Sequence, residues 1–263
     1  MWRKRGHPFL QFMVRDQVVR VNLRDFAELA EAVGARFAAR EGFALATINL
    51  DHLVKMRSDR AFAQAYARQD MVVADGNPIV WLSRLAGRPV ELLPGSDLIR
   101  PLCRMAGEAG VPVAMVGSDE ATLQAAGDRL EADMPGLRVV LRHAPPMGFD
   151  PDGAAAADIL GRLEAEGVGL CFLALGAPKQ ERFAARGREL APHVGFASIG
   201  AGLDFISGRQ KRAPVWVRRL AMEWVWRALG DIRRLGPRYA RRMALLPRRA
   251  SGAVRLRMSS GGH

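Results

Sequence analysis

Cysteine is scarce in this 263-residue chain, which contains only two of these residues. Cys103 and Cys171 have neither a neighbouring partner nor the spacing of metal ligands, so we expect no disulfide framework and no structural zinc site. No apolar run approaches the roughly 18 to 20 residues that a helix needs to cross a bilayer. The apolar segment 9–14 follows basic residues at 3–5, but charged residues end it and no small-residue cleavage site follows. We therefore expect a protein of a reducing compartment, without a signal peptide.

Acidic residues are nearly missing from the C-terminal part of the chain. Residues 205–263 contain 15 Lys and Arg against two acids, Glu223 and Asp231, which gives +13, whereas residues 1–204 contain 24 against 25, which gives −1. The formal net charge of +12 is therefore a property of the C-terminal part alone. Such a distribution implies that this part meets a polyanion, such as phosphate groups, anionic lipid or nucleic acid.

Short apolar segments alternate with amphipathic, alanine-rich stretches along the rest of the chain. The apolar segments are 43–49, 71–74, 111–117, 137–142, 169–176 and 193–202. They contain few alternating polar positions, which predicts a parallel sheet with both faces covered by helices. The predicted fold class is α/β, a Rossmann-like, mostly parallel sheet with helices on both faces, plus a basic amphipathic helical C-terminal appendage.

Polar residues and glycines stand at or just after the ends of these predicted strands. They are Thr47 with Asn49, Asp75 with Gly76, Gly117 with Ser118, Gly176 with Lys179 and Gln180, and Gly200 with Gly202. In parallel α/β sheets the ligand crevice lies beyond the carboxyl ends of the strands, so we expect these residues to converge on one edge. Each has a structural alternative as well, because Ser118 before two acids suits a helix start, and Gly117 and Gly176 suit tight turns.

Asp75 is the strongest of these candidates. It ends the buried-looking segment 71–74, and a carboxylate is costly to bury there unless it has a task. The following Gly76 permits a close approach of the backbone to a ligand. We predict a functional role for Asp75.

Two other motifs are given little weight. Residues 150–152, Asp-Pro-Asp, have the spacing with which carboxylates hold a divalent cation, but a cap and turn before the alanine-rich helix explain them more simply. Segments 117–123 and 198–205 match a dinucleotide-binding glycine pattern only loosely. We therefore expect no metal site, no nicotinamide and no other cofactor.

Several segments, in order, resemble the bacterial N-acetylmannosaminyl and N-acetylmannosaminuronic acid transferases, glycosyltransferase family 26. The segments are TINLDHLV, VVADGNPIVWLSRLAGRPV, GSDL, LGAPKQE, GAGLDFISGRQKRAPVWVRRLAMEWVWRAL and RRLGPRY, spread over residues 15–240. The resemblance implies an inverting, metal-independent hexosyltransferase. Its donor would be a UDP-sugar of the N-acetylmannosamine, glucose or uronic acid type, and its acceptor a saccharide linked through diphosphate to a polyprenyl lipid. The products would enter cell-surface or exopolysaccharide biosynthesis.

The resemblance also implies roles for residues. Asp75 matches the position regarded as the general base, which takes the proton of the attacking hydroxyl. The candidates for substrate binding in the body of the chain are Thr47, Asn49, Gly76, Gly95, Asp97, Gly117, Gly176, Lys179 and Gln180. For Asp97 a helix cap is the preferred interpretation and ligand contact the alternative. Leu92 stands where the family often has an arginine, and we expect Arg88 or a C-terminal arginine to replace that cation.

Residues from Trp216 onwards show an apolar face over about half of a helical wheel, opposite Arg218, Arg219 and Arg233. We predict a catalytic domain at 1–204, a basic amphipathic appendage at 205–245 and a disordered tail at 246–263. The helix either packs on the body or lies at an anionic membrane surface. The second arrangement predicts a peripheral protein on the inner face of the plasma membrane. By the resemblance, the arginines that grip the lipid diphosphate are Arg212, Arg219, Arg227, Arg234 and Arg238.

A nucleic-acid-binding protein is the alternative from another class, because the C-terminal part combines arginine with tryptophan. The nearly neutral body lacks a recognisable nucleic-acid module, so we expect no nucleic acid partner. A catalytically silent membrane scaffold of the same fold is a second alternative, against which the presence of Asp75 and Gln180 argues. Self-association into a homo-oligomer is compatible with the sequence.

Overall fold

The computed structural model describes residues 9–210, which form eight strands and nine helices. The strands are β1 (Leu10–Val14), β2 (Gln17–Val21), β3 (Phe43–Ile48), β4 (Met71–Ala74), β5 (Val113–Gly117), β6 (Val139–His143), β7 (Leu170–Ala174) and β8 (Gly195–Ser198). The helices are α1 (Phe26–Ala39), α2 (Leu50–Ser58), α3 (Arg60–Ala67), α4 (Asn77–Leu85), α5 (Gly95–Glu108), α6 (Glu120–Asp133), α7 (Ala154–Ala165), α8 (Lys179–Leu190) and α9 (Gly202–Ile206).

Strands β3 to β8 form one sheet in the order β4-β3-β8-β7-β5-β6. Every neighbouring pair in this sheet is parallel. Each of the six strands corresponds to one of the apolar segments of the sequence, so the predicted parallel α/β sheet is confirmed. All six carboxyl ends therefore lie along one edge.

Helices cover both faces of the sheet, as predicted. Successive residues of a strand point to opposite faces, and in β3 Phe43 and Leu45 join a core with α1, α5, α6 and α9. Ala46 and Ile48 join a second core with α2, α3 and α4 on the other face. There β7 and β8 pack against α7 and α8 in a third cluster. Burial on both faces explains why the strands are almost continuously apolar.

Strands β1 and β2 form an antiparallel hairpin that was not among the predicted strands. Val14 pairs with Gln17 across a turn whose Arg15 has a φ of 56°. Residues 10, 12, 14, 19 and 21 are buried against the α2 and α3 side, while Met13 is exposed. The alternation is present in the sequence, but the Arg-Asp turn lacks the glycine or asparagine that usually marks a hairpin.

Helix starts differ in a way that matters for the site. Asp25, Asn49, Asp59 and Asp119 cap α1, α2, α3 and α6, each accepting a hydrogen bond from a backbone N–H of the first turn. Helices α4, α5 and α8 have no side-chain cap. Uncapped N-termini present N–H groups and the positive end of the helix dipole to whatever lies in front of them.

One predicted strand was too long. Segment 193–202 forms β8 only to Ser198, after which residues 199–201 make a turn and α9 begins at Gly202. The glycines at 200 and 202 end the strand, and Gly200 adopts a φ of 57°, which favours glycine. The predicted domain limit at residue 204 falls within α9, and Leu203 and Ile206 of this helix are in the core.

The predicted amphipathic appendage continues beyond the described residues from position 211 onwards, and the predicted disordered tail lies wholly outside them. Its division from the catalytic domain therefore stays a prediction. Within residues 9–210, no helix is both long enough and apolar enough to cross a membrane.

Candidate active site

A cavity of about 200 Å³ opens at the carboxyl ends of β3, β4 and β8. It is lined by Thr47, Asn49, His52, Asp75, residues 94–97, Ala177, Gln180, residues 199–202 and Phe205. Six of the predicted site residues are among these: Thr47, Asn49, Asp75, Gly95, Asp97 and Gln180. The predicted convergence of strand-end residues on one edge of the sheet is therefore observed for Thr47, Asn49, Asp75 and Gln180, and for the glycines at 200 and 202.

Asp75 directly follows β4 and lies partly exposed at the cavity. Its backbone N–H donates to the carbonyl oxygen of Ile48 at 2.8 Å, which continues the pairing of β4 with β3. The chain then turns at Gly76, whose φ of 95° is a conformation that other residues rarely adopt. A Cβ at this position would meet nothing closer than 3.8 Å, so the backbone angle, and not crowding, favours glycine here. The sheet pairing and the Gly76 turn together fix the backbone of Asp75, from which its carboxylate extends.

Asn49 has two roles at the neighbouring strand end. Its Oδ1 accepts the His52 backbone N–H at 3.1 Å and so caps α2, while its Nδ2 lies 3.5 Å from His52 Nε2 at the cavity. His52 is buried, and its Nδ1 lies 3.2 Å from the Tyr66 hydroxyl. Burial raises the pKa of Tyr66 well above its usual value, and the charges of Glu181 and Asp75 raise it further. The Tyr66 hydroxyl therefore stays protonated.

Thr47 is buried in the floor of the cavity, where its hydroxyl lies 3.5 Å from the Ser198 carbonyl oxygen. Gln180 forms the opposite wall and is also buried. Its Oε1 accepts the Gly200 N–H at 3.2 Å, and its Nε2 donates to Glu181 Oε1 at 2.9 Å. The Gln180 amide thus joins the start of α8 to the loop that follows β8.

The uncapped start of α5 forms a third wall. Pro94, and not Asp97, occupies the N-cap position, so the preferred interpretation of Asp97 as the cap is wrong. Asp97 lies in the first turn, exposed at the rim of the cavity, and accepts a hydrogen bond from Ser96 at 3.4 Å. Gly95 is buried against the backbone of Ile199.

Four predicted substrate-binding residues of the body do not line the cavity: Gly76, Gly117, Gly176 and Lys179. At Gly117, φ is 115° and a Cβ would lie 2.4 Å from the Ala174 backbone, so strand packing alone requires glycine. Gly176 forms the turn before α8 with a φ of 70°, and Lys179 is the first residue of that helix. The predicted C-terminal arginines, Arg212, Arg219, Arg227, Arg234 and Arg238, lie outside the described residues.

The part of the cavity lining that the structure describes contains two carboxylates, Asp75 and Asp97, and neither lysine nor arginine. Leu92, at the position of the expected arginine, packs partly buried against the α2–α4 core. Arg88 donates to the Phe9 carbonyl oxygen at 3.0 Å and is not in the lining. Lys55 comes near, since its Nζ donates to the carbonyl oxygen of the lining residue Ala177 at 3.0 Å.

The Asp-Pro-Asp motif forms the predicted turn, in which the Gly153 N–H donates to the Asp150 carbonyl oxygen at 3.2 Å. The predicted cap is wrong, because Gly153 is the N-cap of α7 and no side chain bonds to the start of this helix. Asp152 forms an ion pair with Arg182 of α8, and Asp150 Oδ1 accepts the Asp152 N–H at 3.1 Å. Within residues 9–210, no group of three or more His, Cys, Asp and Glu side chains is arranged to hold a metal ion. The expected absence of a metal stays a prediction.

His52, Ser96 and Phe205 also line the cavity but were not among the residues predicted from the sequence. His52 could have been found, because it follows Asn49 by one helical turn and so shares its face at the start of α2. Phe205 carries no such local signal; it reaches the cavity as part of α9, which begins directly after the turn at residues 199–201.

Together, the parallel sheet and the crevice at its carboxyl edge define an α/β protein whose cavity is bordered by uncapped helix starts and strand-end polar residues. A family model described as the glycosyl transferase WecG/TagA/CpsF family matches residues 16–259, and the chain belongs to this family. Two relatives bear the name N-acetylglucosaminyldiphosphoundecaprenol N-acetyl-beta-D-mannosaminyltransferase. The one from Bacillus subtilis is 25% identical over 210 residues, 80% of this chain and 78% of the relative. The one from Bacillus spizizenii is 28% identical over 187 residues, 71% and 68% of the two chains. The predicted family and enzyme class, a glycosyltransferase that moves a hexose-type sugar, are confirmed.

Proposed function

We propose that this protein transfers a sugar from a UDP-sugar to a saccharide carried on polyprenyl diphosphate, with inversion at the anomeric carbon. The names of the two Bacillus relatives favour N-acetylmannosamine as the sugar and N-acetylglucosaminyl-diphosphoundecaprenol as the acceptor. The products then serve cell-surface or exopolysaccharide biosynthesis. One observation carries the proposal: a carboxylate at a strand end, Asp75, faces a cavity bordered by two uncapped helix starts.

Asp75 is the general base of this reaction. Inverting transfer requires a group that takes the proton of the acceptor hydroxyl while its oxygen attacks the anomeric carbon from the side opposite the leaving diphosphate. A carboxylate held by the sheet and by the Gly76 turn needs little reorganisation when it does this. Thr47, Asn49 Nδ2 and His52 border the same part of the lining and are the candidates for hydrogen bonds to sugar hydroxyls.

The departing UDP diphosphate needs positive potential. Helices α5 and α8 supply part of it, because both begin at the cavity without a side-chain cap. The described lining supplies no lysine or arginine, and its two carboxylates would repel a diphosphate. We infer that arginines from beyond residue 210 complete the site, with Arg212, Arg219, Arg227, Arg234 and Arg238 as the candidates.

The same basic segment links the enzyme to its lipid acceptor. A polyprenyl diphosphate lies in a membrane with its charged group at the surface, and a strongly cationic segment with tryptophans suits that interface. We propose a peripheral enzyme on the cytoplasmic face of the plasma membrane.

A panel of UDP-sugar donors tests the proposed reaction. The purified full-length chain is incubated with a short-chain N-acetylglucosaminyl-diphosphoprenol and, one at a time, with UDP-N-acetylmannosamine, UDP-glucose or UDP-uronic acids, and UDP release is measured. We expect release with the N-acetylmannosamine donor, dependent on the acceptor and unchanged by EDTA. A chain that releases UDP from none of these donors contradicts the proposal, and inhibition by EDTA contradicts metal independence.

A further inference from the structure

Glu181 is a fully buried carboxyl group on α8, next to the cavity residue Gln180. One of its oxygens, Oε1, accepts a hydrogen bond from Gln180. The other, Oε2, is buried and has no hydrogen-bond partner among residues 9–210. By contrast, Glu189 at the other end of the same helix is exposed and paired with Arg68. A carboxyl group buried without an ion pair costs stability, so its position calls for a function.

Burial raises the pKa of Glu181 to about 7, while the hydrogen bond from Gln180 and the charge of Lys55 act in the opposite direction. An acceptor oxygen is present at Oε1 whether the group is ionised or protonated at Oε2. The bond to Gln180 can therefore persist in both states. The contact between Gln180 and Glu181 therefore does not require the charged form of Glu181.

The orientation of the Gln180 amide follows from its partners. The Gly200 backbone N–H can only donate, so the Gln180 oxygen must face Gly200 and its NH₂ must face Glu181. Without an acceptor at position 181, the buried NH₂ group would be left without its partner, and other orientations of the amide would compete. Gly200 would then lose its acceptor whenever the amide turned.

Glu181 is itself held from the other side. Gln69, two residues after the end of α3, donates its Nε2 to the Glu181 carbonyl oxygen at 3.1 Å and to the Ala65 carbonyl oxygen at 2.9 Å. Lys55 of α2 binds the Ala177 carbonyl oxygen two residues before α8. The start of α8 is thus fixed to the helices of its own face, and Gln180 transmits that position to the loop after β8.

We propose that Glu181 is a positioning residue: it fixes the Gln180 amide so that this amide holds Gly200, and with it the 199–202 wall of the cavity. The proposal rests on the proposed function, because the wall matters for catalysis only if the donor binds there. Ile199 in this wall also supports the start of α5 through Gly95. A shift of the wall would therefore displace two sides of the site at once.

Two variants separate the hydrogen bond from mere packing. Glu181→Gln keeps an acceptor oxygen in the same place, whereas Glu181→Met keeps the length of the side chain and removes the acceptor. Glu189→Met on the same helix is the matched control. kcat and KM for UDP-N-acetylmannosamine are measured well below each variant's Tm, together with hydrogen exchange of the backbone segment around Gly200.

We expect Glu181→Met to lower kcat/KM by about 10- to 100-fold, the cost of a misplaced site, and to speed exchange at Gly200. Glu181→Gln and Glu189→Met should stay within about threefold of the unchanged chain, since neither removes the acceptor. In a Gln180→Met background, Glu181→Met should add less than about twofold, because the amide through which it acts is gone. If Glu181→Met fails to fold, Glu181→Asp replaces it, because the shorter side chain withdraws the carboxyl group from the Gln180 amide. Glu181→Asp should then show the lower kcat/KM and the faster exchange at Gly200 that we expect of Glu181→Met.

Unchanged kinetics and unchanged exchange at Gly200 in the variant without the acceptor would overturn the proposal. Equal losses in Glu181→Gln and Glu181→Met would overturn it too, since a charge or the exact side chain would then be required. Hydrogen exchange at Gly200 needs no turnover. The inference can therefore be decided even if the unchanged chain transfers no sugar, which would contradict only the proposed function.

Discussion

Gly95 and Ile199 lie so close that a Cβ on residue 95 would be 3.0 Å from the Ile199 Cα and 3.2 Å from its carbonyl oxygen. These are backbone atoms, which cannot turn aside as a flexible side chain can. The contact joins the start of α5 to the end of β8, and both segments line the cavity. The shape of the cavity therefore depends on the absence of one methyl group.

Gly95→Ala should push α5 away from β8. We expect the free energy of unfolding to fall by about 1 to 2 kcal/mol, the usual cost of overpacking, and the KM for the UDP-sugar to rise. Gly34→Ala is the matched control, because Gly34 lies inside α1 and a Cβ there meets nothing within 4 Å. That variant should gain roughly 0.5 to 1 kcal/mol from better helix propensity. Urea denaturation measures both, and equal effects in the two variants would contradict the proposed crowding.

Asp75→Asn should remove the general base and leave the fold unchanged. We expect the donor's dissociation constant to change little, while kcat falls by about 10² to 10⁴, the usual share of general-base catalysis. Asp152→Asn is the control, because Asp152 is a surface ion-pair partner of Arg182 away from the cavity. Near-normal turnover in Asp75→Asn would remove this residue from the mechanism.

The stability of the fold should depend on pH through Glu181. Its pKa rises from the ordinary 4.5 to about 7 because burial disfavours the charged form. Between these pH values the folded chain keeps a proton that the unfolded chain releases, so this contribution to stability is complete below pH 4.5 and is lost as pH rises towards and through 7. A shift of this size corresponds to roughly 3 kcal/mol at most.

Urea denaturation between pH 5 and 8, compared with Glu181→Gln, measures this dependence. The unchanged chain should lose stability relative to the variant as pH rises, since the amide cannot ionise. The difference between the two chains cancels other titrating groups, such as Asp204, whose pKa burial also raises. Parallel curves would show that Glu181 does not titrate in this range.

The predicted phosphate-binding arginines can be tested in the full chain at constant charge. One variant carries glutamine at positions 212, 219, 227, 234 and 238, and its control carries glutamine at five other arginines, 241, 242, 248, 249 and 255. We expect the first set to lower kcat/KM for the lipid acceptor at least about tenfold more than the control, because specific arginine–phosphate bonds exceed general attraction. Equal losses would show that only net charge matters.

The polyanion that the basic segment meets can be identified with the same proteins. Binding of the full chain to vesicles containing anionic lipid should exceed its binding to a single-stranded oligonucleotide at moderate salt, and both five-glutamine variants should bind the vesicles more weakly. Preference for the oligonucleotide would favour the nucleic-acid-binding alternative.

The sheet and its polar edge were predictable from the sequence for one physical reason. Strands that are buried on both faces must be apolar throughout, so the first polar residue after each, such as Thr47 with Asn49 or Asp75, marks the carboxyl end. Parallel pairing then brings these ends together. The hairpin of β1 and β2 was not predicted, because its turn residues, Arg15 and Asp16, are not typical of hairpin turns.

Other features depend on packing that no local pattern reveals. For Gly117 the sequence leaves a ligand contact and a tight turn open, whereas the structure shows that the β5 and β7 backbones approach too closely at Ala174 for a Cβ. Asp97 looked like a cap, but Pro94 begins the helix one turn earlier than the acid. Gln180 was identified, whereas its buried partner Glu181 was not, since a charged residue beside a helix start normally faces water.

Helix α9 fixes the point at which the basic C-terminal segment leaves the catalytic body, and this point lies beside the cavity. Phe205 borders the cavity, and Asp204 in the same helix accepts a hydrogen bond from Ser118 at 3.3 Å. Arg212 is seven positions after Phe205, so covalent reach alone keeps the Cα of the first candidate arginine within about 25 Å of Phe205 at the cavity. A flexible tether of this length would give a guanidinium group an effective concentration of the order of millimolar near the site. At such a local concentration, even an arginine with a weak affinity for diphosphate would contribute to binding of the acceptor.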